Sequence, residues 1–195
     1  MYYGYGFDIT YIFVIIGMVI TLLASWRMKA TFAKYERVAS QSRLTGREVA
    51  ERILRANGIY DVSVRPVSGR LTDHYDPRDK TVSLSEVIYG STSVAAIAVA
   101  AHECGHAIQD NVGYVPLNLR SAFVPVANFG SRLSWPLIFV GFLLGYGNIS
   151  NILIQIGIAM FLLAVIFQII TLPVEFDASR RALIELENNE ILSDR

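Results

Sequence analysis

Val94-Ala-Ala-Ile-Ala-Val-Ala-Ala-His102-Glu103-Cys104-Gly105-His106-Ala-Ile-Gln-Asp110 is an apolar run that ends on two histidines four residues apart. At helical spacing these side chains lie one above the other on one face, so both imidazoles can reach a single metal ion. Glu103 falls about 100° further round the helix, placed to touch a metal-bound water without being a ligand. Zinc suits the set, because imidazole is a good ligand and three protein ligands leave a fourth position for a water whose pKa falls to roughly 7. His102 and His106 are therefore candidate ligands and Glu103 the candidate general base. The competing account is a chance HExxH in a packed helix. Against it, the chain has 3 histidines and two of them are here, and the apolar approach AAIAVAA would hold the ligands rigidly in a core.

The surrounding chain belongs partly in lipid. Its 195 residues are 53% hydrophobic, with a mean hydropathy of +0.41, too apolar for a soluble domain of this length. A net charge of zero leaves no global field for nucleic acid, which is dropped as a partner. The single cysteine, Cys104, cannot form an internal disulfide and points away from the histidine face, as a small packed residue. The redox compartment is only weakly constrained, towards a reducing one.

Ile9 to Trp26 is an 18-residue stretch without charge, long enough to cross a bilayer core. Met1 to Asp8 has no Lys or Arg and several tyrosines suited to an interface, so the segment reads as a retained anchor rather than a cleaved signal. Arg27, Lys29, Lys34, Arg37, Arg43 and Arg47 follow it, which places the N-terminus outside and the next region in the cytoplasm. There, Thr45 as N-cap with Glu48 three residues on opens a helix, Glu48 to Ala56, stopped by Asn57-Gly58, with Val49, Ile53 and Leu54 as its apolar stripe. Val62–Val67 and Thr81–Ser85 alternate as short strands around a turn-rich Asp73–Lys80. They predict a small sheet on the HExxH helix, which Ser91, Thr92 or Ser93 would cap.

Leu133 to Val174 carries no charged side chain and is interrupted only by the turn Gly145–Asn151. This predicts a transmembrane hairpin. Its first arm has only 12 residues before the turn, about 18 Å, so it should begin near Ala122 and carry Arg132 at the cytoplasmic interface. The second arm, Ile152 to Leu172, is a full span, with Pro173 marking its end. The turn has no Lys or Arg, as an outer loop should. Three spans leave the tail, Glu175 to Arg195, on the same side as the histidines. No internal repeat or low-complexity segment is present.

A third ligand must come from His74 or an acid, above all Glu175 where the last span emerges. Glu175 could instead be a first-turn glutamate favoured by the helix dipole. His74 could complete a three-histidine site, be exposed in its turn, or with Tyr75 bind substrate or the transition state beside an edge strand. Ser179, one turn beyond Glu175 on the same face, is placed to hydrogen-bond a ligand. Asp177, Arg180 and Arg181 read as a solvated helix face.

The segments LTGREVAERILRANGIYDV, LTDHYDPRDKTVSLSE, SVAAIAVAAHECGHAIQD, LRSAFVPVANFGS and TLPVEFDASRRAL resemble the YugP-like, membrane-bound neutral zinc metallopeptidase family over nearly the whole chain. The resemblance implies one Zn2+ ion bound by His102, His106 and Glu175, with Glu103 catalytic. More distantly the layout is similar to HtpX and the CAAX prenyl proteases, where the third-ligand glutamate is followed four residues later by an aspartate. Ser179 stands at that position here. The family pattern also implies a further apolar helix past the segment matching Asn188 to Arg195, which this sequence does not contain.

The expected fold is a mainly α membrane protein, with three transmembrane helices and a small cytoplasmic α+β zincin-like domain carrying the HExxH helix. Its expected parts are an anchor at 1–26, a metallopeptidase region at 27–120, a transmembrane hairpin at 121–174 and a ligand-bearing C-terminal helix at 175–195. The expected function is zinc-dependent endopeptidase action on membrane or membrane-proximal proteins, in the cell membrane, with peptide substrate and lipid as partners. A membrane adaptor with a structural zinc and no turnover is the alternative. Glu103 speaks against it, because a structural site needs no carboxylate there and prefers four protein ligands.

Overall fold

The structure is a computed structural model describing residues 10–192. The expected outer segment, Met1 to Asp8, lies outside the described residues. α1 (Thr10–Tyr35) is the first apolar run, and it continues past Trp26 through Arg27, Lys29 and Lys34. These basic residues therefore sit on the helix itself and not in a loop after it. The apolar window of α1 is nowhere buried against the rest of the chain, as suits a helix whose solvent is lipid.

α2 (Gly46–Ala56) starts at the expected capping box, with Glu48 N donating to Thr45 Oγ1 at 3.2 Å and Thr45 N donating to Glu48 Oε2 at 2.8 Å. Its stripe of Val49, Ile53 and Leu54 is buried. Next come β1 (Ser63–Val67), β2 (His74–Asp76) and β3 (Thr81–Ser85), in sheet order β1-β3-β2, with β1 parallel and β2 antiparallel to β3. β2 corrects the reading of Asp73–Lys80 as turn throughout. Tyr75 pairs with Val82 and packs against the core, so its burial draws three residues of a turn-rich stretch into the sheet. Val82 and Leu84 on β3 are fully buried with Ile53, Ile97, Ala101 and Cys104, which makes the core a layer between α2, the sheet and the HExxH helix.

A short α3 (Glu86–Tyr89) leads to α4 (Val94–Asn111), the HExxH helix, capped by Ser93 Oγ, which accepts from Ala96 N at 3.2 Å. α5 (Val115–Leu143) begins seven residues earlier than Ala122, with Pro116 in its first turn, where a proline costs no hydrogen bond. α6 (Asn148–Asn188) is a single 41-residue helix. Pro173 therefore does not end it. Beyond the proline, Val174, Ala178, Ala182 and Leu186 recur every four residues and are all buried, and packing on this stripe outweighs the one backbone bond that Pro173 removes. α1, α5 and α6 are each long and apolar enough to cross a membrane.

Small residues set two close approaches. In the hairpin, Gly130 and Gly141 of α5 and Gly157 of α6 lie against the facing helix, where small side chains let backbones pack in lipid. In the domain, a Cβ on Gly105 would collide with the Ala178 carbonyl, so α4 and α6 touch backbone to backbone one residue before His106. Gly105→Ala should force these helices apart at a cost of about 1–3 kcal/mol. The expected result is a lower unfolding temperature together with reduced zinc retention, measured by thermal unfolding and metal analysis of the purified protein.

Candidate metal centre

α4 supplies His102 and His106 one turn apart, and their rings meet edge to face with centroids 4.8 Å apart. α6 supplies Glu175, held opposite them by the Gly105–Ala178 approach one helical turn further on. Glu175 Oε2 lies 3.2 Å from His102 Nε2 and 3.6 Å from His106 Nε2. One ligand atom from each of the three lies within 4.8 Å of the others, and among the described residues this is the group of such side chains able to hold a metal ion.

The outer ring nitrogens are occupied by other partners. His106 Nδ1 is 3.0 Å from Gln109 Oε1. Gln109 Nε2 donates to Val174 O at 2.8 Å and to Asp177 Oδ2 at 2.9 Å. The Gln109 oxygen is thus the acceptor, so His106 carries its proton on Nδ1 and turns a bare Nε2 towards the centre. His102 Nδ1 is 3.2 Å from Ser179 Oγ. This is the arrangement of metal-binding imidazoles, with the far nitrogen tied to a neighbouring polar group and Nε2 turned to the centre, where that of His102 meets Glu175 Oε2 at 3.2 Å. The residues present fit a zinc ion: two imidazole nitrogens and a carboxylate oxygen converge, and hydrogen bonds fix the ring orientations. The hydrogen bond to Glu175 raises the His102 pKa, while burial works against it.

Glu103 is 8% exposed and faces a cleft of about 450 Å³ bounded by Ala98, Val99, His102, Ala182 and Leu186. Burial pushes its carboxyl above the usual range, partly offset by the neighbouring His106 and His102. A carboxylate raised in this way is better matched to proton transfer near neutral pH. On the other flank, His106 lines a second cleft of about 400 Å³ with His74, Tyr75, Arg78 and Arg120.

Not every residue singled out in the sequence joins the centre. His74 lines the second cleft, but its Nδ1 is turned to Thr72 O at 2.8 Å, and it is no part of the three-residue group. The Tyr75 hydroxyl donates to Asp110 Oδ2 at 2.8 Å, an oxygen shared with Lys80 Nζ at 2.5 Å. Burial and this partner push the Tyr75 pKa up. Cys104 packs on the far side of α4, with its Sγ 3.6 Å from Ala50 O and its thiol pKa raised by burial. Ser179 makes the expected contact.

Three polar partners were missed. Gln109 is fully buried and joins His106 to α6. Its place three residues after a candidate ligand histidine, on the same helical face, was the available signal. Asp177 accepts from Gln109 and from Arg181 Nε at 2.6 Å, which corrects the reading of both as a solvated face. Arg120 of α5 stands 3.5 Å from Glu175 Oε1, the oxygen turned away from the histidines. Nothing local to α5 announces this.

The chain belongs to the family described as "Putative neutral zinc metallopeptidase", which matches it over residues 10–195. It is a membrane protein, on the strength of its three apolar helices and a membrane relative. That relative is the "Putative membrane protease YugP" of Bacillus subtilis (strain 168), 51% identical over 159 residues that span 82% of this chain and 69% of the relative. No solved structure matches the chain.

Replacing Gln109 by Leu keeps the bulk but leaves His106 Nδ1 without its partner and removes the link to Val174 O and Asp177 on α6. The variant should fold yet bind zinc about 10–100-fold more weakly. Titration against a chromophoric chelator reads this loss directly, and unchanged affinity would remove Gln109 from the site.

Proposed function

We propose that this protein is an integral-membrane zinc endopeptidase that cuts membrane or membrane-proximal proteins at the cytoplasmic face. The observation that carries the reading is the convergence of His102 Nε2, His106 Nε2 and a Glu175 oxygen, with Glu103 beside them on the wall of an open cleft. His102, His106 and Glu175 would hold one zinc ion. When bound, that ion polarises the scissile carbonyl and makes water acidic enough to act near neutral pH.

The chain's own groups do the rest. Gln109 and Ser179 hold the two imidazoles in the orientation that turns Nε2 to the centre, and Gln109 also sets the His106 tautomer. Glu103 takes the proton from the attacking water and delivers it to the leaving amine nitrogen, so that one carboxylate serves as base and then as acid. Arg120 holds the outer oxygen of Glu175, which fixes the carboxylate and moderates its charge. An adaptor with a purely structural metal would have no use for a carboxylate in Glu103's position.

Glu103→Gln separates the two readings. It should retain zinc and lose about 10²–10⁴-fold in peptide hydrolysis, whereas His102→Ala should lose both metal and turnover. Metal analysis alongside cleavage of a fluorogenic peptide checks this, and hydrolysis undiminished in Glu103→Gln would end the enzyme reading.

The proposed orientation follows from charge. Arg27, Lys29, Lys34 and Arg37 crowd the end of α1, while the α5–α6 turn at 144–147 has no Lys or Arg. A cysteine at the exposed Tyr146 should react with a membrane-impermeant maleimide in intact cells. One at the exposed Asp79 should react only after permeabilisation. The opposite pattern would invert the topology.

A further inference from the structure

The cleft beside Glu103 continues along α4. Between α1 and the first turns of α4 lies a mainly apolar groove of about 590 Å³, lined by Ala24, Met28, Phe32, Val94, Ala98 and Val99, with Arg27 as its one charged residue. Ala98 and Val99 also line the cleft that holds His102 and Glu103. The two therefore meet over a single turn of the helix. Ala98 is exposed and lies four residues before His102, so its small side chain is the floor at the junction.

The joined groove follows α4 from Val94 to Glu103. At 1.5 Å per residue that is about 14 Å, the length of roughly four residues of extended chain. Beyond the junction its wall is aliphatic, from Ala182, Leu183 and Leu186 of α6, and polar groups gather at the metal end, where Asp73 and Ser179 stand. Leu183 is 69% exposed although it borders the cleft, and so offers apolar surface that no described residue covers fully. Apart from Arg27 in the α1–α4 part, these walls offer no charged group between the groove's outer end and the metal end, so a run of polar side chains laid along them would lose water for few partners. The other flank of the metal centre differs, with His74, Arg78 and Arg120 along it.

We infer that the α1–α4 groove binds the substrate chain on one side of the scissile bond, and that this enzyme selects about four consecutive apolar residues there, as at the unwound end of a membrane span. This rests on the hydrolase reading and names its substrate class. The occupant is continuous with the reacting bond because the groove joins, over Ala98 and Val99, the cleft whose walls include His102 and Glu103. At its far end the groove is walled by α1, one of the helices fit to cross a membrane. A segment leaving the bilayer beside α1 would therefore reach Glu103 without crossing water.

The test uses the full chain in nanodiscs, zinc-loaded and carrying Glu103→Gln, so that binding is read without turnover. Two fluorescent octapeptides differ only in one half, four residues of Leu and Phe in one and of Ser and Gln in the other. The apolar peptide should bind about 10-fold or more tightly, because several buried side chains each contribute. Adding Ala98→Phe, which fills the junction from an exposed position, should abolish that preference while zinc content stays unchanged. Leu183→Asp, a surface change on the opposite wall, should do the same. Equal binding of the two peptides, or a preference that survives both substitutions, overturns the proposal. So does labelling of Ala98 and Val99 by a photoreactive acyl lipid that the apolar peptide does not displace, which would assign the groove to lipid. Turnover of the same peptides by the unsubstituted protein is scored separately: apolar-selective binding without cleavage defeats the hydrolase reading and leaves a peptide-binding groove.

Discussion

The contact between Gly105 of α4 and the backbone of α6 at Ala178 is the constraint on which the site depends. The candidate ligands come from positions far apart in sequence, and neither helix can bring them together alone. A side chain at 105 would hold the axes apart by more than a metal coordination sphere tolerates, since ligand distances near 2 Å leave little slack. The alanines of α4 serve the same end. Ala100, Ala101 and Ala107 are buried without bulk, so the sheet, α2 and α6 can all close on one short helix. The stripe from Val174 to Leu186 answers them from α6.

Hydrogen bonding then converts proximity into orientation. Gln109 reaches His106, the Val174 carbonyl and Asp177 at once. It therefore ties the position of α6 to a candidate ligand on α4. Ser179 does the reverse, reaching from α6 to His102. Each imidazole is steadied by a group that depends on the other helix being in place. Among the described residues no buried side-chain nitrogen or oxygen lacks a partner, so the network adds rigidity without the cost of stranded polar groups.

Much of this was legible in the sequence because the signals are local. The capping box at Thr45 and Glu48, the Ser93 cap, the spacing of His102 and His106 and the charge-free runs each need only a few neighbouring residues to be read. Glu175 was reached by the need for a third ligand and by a family resemblance, and the geometry places it with the histidines. What escaped was set by tertiary contact. β2 exists because Tyr75 packs in the core, although its neighbours favour turns. α6 passes through Pro173 because four buried residues beyond it hold the helix on α4. Arg120 and Asp177 look like ordinary charged surface until the facing helix is known. Composition cannot distinguish a solvated carboxylate from one that anchors a buried glutamine.

The unbroken course of α6 also bears on where chemistry can occur relative to lipid. Leu172 is the last residue of the apolar run, and Glu175 follows three residues later, about 4.5 Å along the axis. Leu172 and Phe176 both remain exposed on the outer face of the helix, while Val174 and Ala178 turn inwards. With no joint between the span and the ligand, the height of the metal centre is set by how far α6 sinks before its charged turn, Glu175 to Arg181, meets water. Under the proposed topology the centre stands at the boundary, with an aliphatic cleft on one flank and a polar one holding Arg78 and Arg120 on the other. Under the proposed function, the aliphatic flank would take an apolar chain and the polar flank would face water, so the two requirements of hydrolysis at the edge of a bilayer fall on opposite sides of one helix.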